Sequence, residues 1–314
     1  MRPQPRNRAP IACGFSPHLS AMPEGPELEA ARRLVSMHVL GRRIVKVSAV
    51  EDTKTFVGKT AAEVVAALQG RVIHNACRKA KYLWLTLDRG PHPLFHFGMT
   101  GALCVEGVSA VQYKRASVDS SSCWPPKFCK LDLEFHDGVR MAFTDPRRFG
   151  KIQFLDNPST QEPVSKLGFD VIAELPALPE FRARFGAYQK PGSVLRVKAL
   201  LLDQGFTAGI GNWVADEVLY QARVHPEQLV ADMPEAQVEA VHTAIREVCQ
   251  TAVAANANSD LFPASWLFHA RWTGKRASMC NGKPVEFVTV GSRTSAFVPA
   301  LQRIITGTGL RAAS

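Results

Sequence analysis

No run of apolar residues in this 314-residue chain approaches the about 18 that a membrane-spanning helix needs, so no such helix is expected. Cys-x-x-Cys is absent as well. The seven cysteines (13, 77, 104, 123, 129, 249 and 280) are odd in number and scattered. Cys123 and Cys129, the nearest to each other, have no second pair of Cys or His at ligand spacing. That pattern argues against structural zinc and points to free thiols in a reducing compartment. There is no internal repeat. Residues 1–21 have no acidic residue and are rich in Arg, Pro, Ser and Ala. Such a stretch fits an organelle transit peptide, a disordered leader, or an upstream start codon read into the gene.

What is present is ordinary for a globular protein, with 46% hydrophobic and 21% charged residues, and the length allows two domains. The charge is less ordinary. Lys and Arg outnumber Asp and Glu by 38 to 28, a net +10. Residues 1–22 supply only three arginines of that excess, which leaves +7 on the remainder. A basic folded part favours a polyanionic partner, nucleic acid before a membrane surface.

Along the chain the period of the apolar residues changes once. From 44 to 155 short alternating segments dominate: Leu83, Leu85 and Leu87 against Tyr82, Trp84 and Thr86, then Leu131, Leu133 and Phe135 against Asp132 and Glu134. One helix interrupts, with Thr60 and Glu63 as a capping box and Gly70 after its end. Residues 106–127 read as a long surface loop. After about Pro158 the period becomes helical. Ser193 can cap a helix ending at Gly205, a second runs from about Trp213 to Ala222, and Pro234 opens a third marked by Val238, Val241, Ile245, Val248 and Ala252. Segments 285–290 and 294–298 around Gly291-Ser292 predict a final β-hairpin.

Several short motifs carry chemistry. Met22-Pro23-Glu24-Gly25-Pro26-Glu27 puts two carboxylates and a helix start beside Pro23. Were the mature chain to begin at Pro23, its secondary amine would have a pKa of about 7.7–8.0 against about 10.4 for lysine. Such an amine condenses with an aldehyde to an iminium, an electron sink for elimination, and Glu24 is close enough to move protons. The plainer reading is a loop feeding a helix. Arg78-Lys79-Ala80-Lys81 is either a solvated strand edge or a fixed phosphate site. Met99, in His96-Phe97-Gly98-Met99-Thr100-Gly101, is core filler or an apolar wedge for the gap left by an extruded nucleotide. Asp145-Pro146-Arg147-Arg148-Phe149-Gly150 is a turn whose phenyl ring has little to pack on. Gly209-Ile210-Gly211-Asn212 precedes a helix and suits a phosphate, as does Arg293 near the hairpin tip.

These motifs occur in one order from about Pro23 to Pro299, and in that order the sequence resembles the formamidopyrimidine-DNA glycosylase/endonuclease VIII family. The resemblance implies an α+β architecture: an antiparallel β-sandwich (23–157), a helix-two-turn-helix unit (158–258), and a zincless-finger hairpin with tail (259–314), after a leader or misread extension (1–22). It implies a bifunctional base-excision-repair enzyme acting on damaged double-stranded DNA as a monomer, without cofactor or metal. Pro23 would be nucleophile and Glu24 its proton-transfer partner, with Glu27 holding the deoxyribose. Lys81 would join this catalytic group while binding phosphate, together with Asn212 and Arg293. Met99, Arg147 and Phe149, with Arg148 beside them, would fill the void and face the orphaned base, since a base must leave the stack before its glycosidic bond is reached.

Two features depart from the bacterial pattern. Bacterial members end in a four-cysteine zinc finger, and only Cys280 lies near that place, as in zincless plant and fungal members. Gly25 gives the endonuclease VIII-like start, whereas the Asp145–Gly150 turn favours oxidised purines, chiefly formamidopyrimidines. The expectation is therefore formamidopyrimidine excision followed by β,δ-elimination. Oxidised pyrimidines are the alternative, and a non-catalytic damaged-DNA binder is another if residues 1–22 stay attached. The expected compartment is the nucleus, or an organelle if residues 1–21 are a transit peptide.

Overall fold

The computed structural model describes residues 22–108, 124–272, 278–306 and 309–311. The leader expected over 1–21 and most of the loop expected over 106–127 lie outside the described residues. Helix α1 (Gly25–His38) starts at the Pro26 turn. Strand β1 (Ile44–Ala49), helix α2 (Ala61–Leu68) and strands β2 (Ile73–Lys79), β3 (Tyr82–Leu87), β4 (His92–His96), β5 (Ala102–Val105), β6 (Cys129–Phe135), β7 (Arg140–Thr144) and β8 (Lys151–Leu155) follow. They form two antiparallel four-stranded sheets, ordered β1-β6-β7-β5 and β2-β3-β4-β8. The expected alternation holds: Leu83, Leu85 and Leu87 enter the core between the sheets with Phe95, Leu131 and Phe143, while Trp84 packs on Leu94 and Val164 outside it. Thr60 caps α2, its hydroxyl accepting the Glu63 N–H at 3.3 Å while Glu63 accepts the Thr60 N–H at 2.7 Å.

A short strand β9 (Phe169–Asp170) leaves the sandwich and pairs in parallel with β10 (Thr207–Ala208). Helices α3 (Leu178–Gly186), α4 (Val197–Leu202), α5 (Asn212–Gln221) and α6 (Glu235–Ala254) surround a second core that includes Phe181, Phe206, Trp213, Val241 and Ile245. The helix expected from Ser193 to Gly205 is shorter than that. Arg196 bridges Leu229 and the Val197 N–H is drawn to Gln228 O at 2.9 Å, which keeps the chain extended until α4 begins. At its far end the Asp203 carboxylate takes the Gly205 N–H at 2.8 Å and turns the chain.

The C-terminal part holds strands β11 (Met279–Cys280), β12 (Lys283–Pro284), β13 (Glu286–Val290) and β14 (Arg293–Phe297). Gly291 and Ser292 join the last two with φ of 56° and 62°, the left-handed pair that a two-residue hairpin turn requires. The hairpin rests on a small core of Tyr220, Leu267, Cys280, Val285, Ala296 and Val298. Helix α3, the β9–β10 and β11–β12 pairs and the pairing of β15 (Ile304–Thr306) with β16 (Gly309–Arg311) were not anticipated. Among the described residues no helix is long and apolar enough to cross a membrane.

Candidate active site

The site forms where α1 meets α5. Glu24 precedes α1, and its carboxylate crosses to the start of α5, where the orphan N–H groups of a helix end point outwards. Gly211 N–H donates to Oε2 at 2.8 Å, Trp213 N–H to Oε1 at 2.9 Å and Val214 N–H to Oε2 at 3.1 Å. Gly211 is required here. Its φ of −123° would suit any residue, but a Cβ would lie 2.2 Å from Glu24 Cδ. Glu27, one turn into α1, accepts the Glu24 N–H at 3.1 Å and the Trp213 indole N–H at 3.0 Å. The neighbouring Gly25 N–H donates to Gly209 O at 2.9 Å, which closes the seam.

Pro23, Glu24 and Glu27 are all buried. Burial raises the pKa of Glu24, opposed by the Lys81 ammonium and by the N–H groups of Trp213 and Val214. Burial, with the charge of Glu24 second, pushes Glu27 up to about 8. Lys81 lies in the turn between β2 and β3. Burial lowers its pKa, Glu24 and Glu27 oppose the shift, and repulsion from Arg293 adds to it. Lys81 is thus within electrostatic range of Glu24, Glu27 and Arg293, although the four come from three distant parts of the chain.

Arg293 is exposed, and its hairpin is tied to α5 from below. Thr294 O accepts Asn212 Nδ2 at 3.0 Å and Lys198 Nζ at 3.2 Å. Lys198 is also paired with Asp216 at 2.5 Å, and Asp216 takes Arg271 at 2.7 Å and the Ala296 N–H at 3.3 Å. One N–H of the Asn212 amide is thus engaged with the hairpin. This buried charge cluster and the Trp213 indole bond were not read from the sequence, because nothing local distinguishes Lys198, Asp216 or Arg271 from surface charges.

The two turns singled out in the sequence form one unit. A Cβ on Gly98, whose φ is +59°, would fall 2.4 Å from Phe149 C, so the turns touch backbone to backbone. Asp145 ties them together, accepting from Thr100 Oγ1 at 2.6 Å, Gly150 N at 2.6 Å and Arg147 N at 3.2 Å. Met99 is half-buried, Phe149 is 50% exposed, and the Arg147 guanidinium lies 5.1 Å from the centre of its ring. Arg148 turns the other way. It makes two 2.9 Å bonds to the buried Asp52, which also takes Lys130 at 2.9 Å, so its half-exposed side chain ties the turn to the sandwich.

Among the described residues no group of three His, Cys, Asp or Glu could hold a metal ion. Cys280 sits in the apolar cluster under the hairpin, so the residues present do not fit the zinc finger of bacterial members.

Residues 22–152 match the formamidopyrimidine-DNA glycosylase N-terminal domain and residues 172–262 the formamidopyrimidine-DNA glycosylase H2TH domain. A formamidopyrimidine-DNA glycosylase of Arabidopsis thaliana is 44% identical over 90% of this chain and 71% of its own. One of Geobacter sulfurreducens is 30% identical over 90% of this chain and all of its own. MutM in complex with carbocyclic 8-oxo-G containing DNA shares the fold, with a TM-score of 0.72 at 23% identity over 90% of this chain and 100% of that one. The Lactococcus lactis Fpg with abasic-site DNA gives 0.71 at 23% identity, over 89% and 99%. Two adjoining domain matches and a relative this similar, on the site just described, show that the chain belongs to the formamidopyrimidine-DNA glycosylase family.

Proposed function

We propose that this DNA glycosylase, in a form beginning at Pro23, excises oxidised purines, chiefly formamidopyrimidines, and cleaves the abasic strand through a Schiff base on the Pro23 nitrogen. What supports the reading is the hydrogen-bonded pair Glu24 and Glu27 next to Pro23, with buried Lys81 within electrostatic range of both and of Arg293. The Pro23 amine attacks C1′ and the C1′–N bond breaks, the departing base taking a proton. Glu24, with a raised pKa and fixed beside Pro23, moves that proton and assists opening of the sugar. The resulting iminium acidifies the C2′–H bond. Loss of that proton expels the 3′-phosphate, a second elimination expels the 5′-phosphate, and water releases the amine. Lys81, Asn212 and Arg293 hold phosphates, while Met99, Arg147 and Phe149 occupy the space of the extruded nucleotide.

An oxidised-pyrimidine preference drew on Gly25. That residue also packs closely, since a Cβ there would meet Ile172 Cδ1 at 3.1 Å and Gly209 O at 3.3 Å. Residues 1–22 stand outside the catalytic unit on this reading, whether they are an organelle-directing leader or an extension, and they must be lost before Pro23 becomes an amine.

The test expresses residues 23–314 and 1–314, the latter with processing blocked, and confirms each N-terminus by mass spectrometry. Borohydride should trap only the shorter chain on duplex DNA carrying a formamidopyrimidine or an abasic site. Equal trapping by an intact 1–314 chain would overturn the proposal, and trapping on oxidised pyrimidines alone would replace the substrate.

A further inference from the structure

Asp170 lies in β9, on the path from the sandwich to the helical half, and is only 1% exposed. Its carboxylate is saturated. Arg78 donates to it through Nη1 at 2.5 Å and Nη2 at 3.0 Å, and the N–H groups of Ile172 and Ala173 donate at 2.9 and 3.0 Å. The remaining bond comes from the Ala80 N–H at 2.5 Å. Arg78, paired at its Nε with Glu29 at 3.1 Å, also donates to Ala80 O at 3.1 Å. Both polar groups of the Ala80 backbone are therefore held by one buried ion pair.

Ala80 is the residue before Lys81, and the two make the whole turn between β2 and β3, since Lys79 pairs with Tyr82. Its φ is +54°, a left-handed conformation that glycine takes freely and alanine keeps only when its surroundings impose it. The buried Lys81 side chain follows from that turn. We propose that Asp170 is a positioning residue for Lys81: through Arg78 and the Ala80 backbone it fixes the turn that aims the lysine at a DNA phosphate. Seating of the helical half on the sandwich and phosphate binding are then one event, because Asp170 belongs to the segment that joins them. The inference rests on the phosphate role given to Lys81 above.

The test measures binding of residues 23–314 to a duplex with a stable abasic analogue over a range of salt concentrations. Each phosphate contact contributes about 0.9 to the slope of log K against log salt. Lys81→Met should lower the slope by about one, Asp170→Asn should do the same, and the double variant should lose no more than Lys81→Met alone. Ala80→Gly should restore much of the loss in Asp170→Asn, because glycine needs no clamp to hold the turn; a carboxylate that merely glued the two halves together would not be rescued this way. Should Asp170→Asn not fold, Arg78→Lys, which keeps the cation but loses the fork to Ala80 O, is read in the same assay. A slope unchanged in Asp170→Asn, or in Arg78→Lys where that is the variant read, overturns the inference, as do additive losses or a missing rescue. A slope unchanged by Lys81→Met would instead refute the phosphate reading itself.

Discussion

Gly211→Ala isolates the Glu24 carboxylate better than any change to Glu24. The backbone at 211, with φ −123° and ψ −159°, accepts alanine without strain, so the added methyl acts only by collision. Its carbon would sit 2.2 Å from Glu24 Cδ and 2.4 Å from Oε1, whereas ordinary contact begins at 3.4 Å. The carboxylate must therefore retreat by about 1.2 Å, the difference between 3.4 and 2.2 Å. It cannot do so and keep its bonds to the N–H groups of Gly211, Trp213 and Val214. A lost hydrogen bond to a buried charged group costs about 1.5–3 kcal/mol, so the melting temperature should fall. A misplacement of about 1 Å in a catalytic group costs on the order of 10²-fold in rate. Single-turnover release of a formamidopyrimidine from duplex DNA should slow by about that factor. Cleavage at a preformed abasic site should fall far less, because Pro23 can condense with the ring-opened aldehyde unaided. Gly186→Ala, where the methyl meets nothing within 4 Å, is the control. Excision at the unaltered rate by a folded Gly211→Ala chain would refute the role given to Glu24.

Glu24→Gln should lose most of its excision rate, about 10²–10⁴-fold, and keep a measurable fraction of abasic-site cleavage in matched duplexes; equal loss of both in a folded, DNA-binding variant would contradict the assignment. Met99→Ala and Phe149→Ala should slow excision from duplex DNA and hardly affect a single-stranded or abasic substrate, because the wedge offsets an unstacking cost of a few kcal/mol; equal slowing on both would sink the wedge. Chelators should leave activity intact, since the hairpin rests on apolar residues, and stoichiometric zinc in the purified protein would overturn that expectation. Burial disfavours the Glu29 carboxylate, but hydrogen bonds from Arg32 and Arg78 outweigh it and hold its pKa at about 2. A carboxyl depressed in the folded state stabilises above its ordinary value near 4.5, and that contribution disappears as the pH falls towards 2. Glu29→Gln should thus be less stable than wild type at pH 6, and their denaturant midpoints should converge near pH 2; a constant gap would argue against the ion pair.

The sequence by itself determined the local grammar of this protein. The alternation of Leu83, Leu85 and Leu87, the Thr60–Glu63 box, Pro26 at the start of α1 and Gly291-Ser292 in the last hairpin each depend on neighbours a few residues away, and each is in place. The order of the motifs pointed to the family for a similar reason, since chemistry needs particular residue types at fixed local spacings. Only tertiary structure decided how the two halves share one site. Glu24 meets the start of α5 across 187 residues of sequence, and the Trp213 indole meets Glu27 across 186. No window of the sequence reports such contacts, because they arise when two separately formed cores dock and bring a helix end onto a carboxylate. Contacts within each half turned Arg148 to Asp52 and, through Leu229, kept α4 from reaching back to Ser193, while docking did more than build the site. It also holds Ala80 in a conformation its residue type does not advertise: a glycine there would have announced the turn, whereas an alanine keeps it only because Asp170 and Arg78, from two parts of the fold, leave its backbone no other partner.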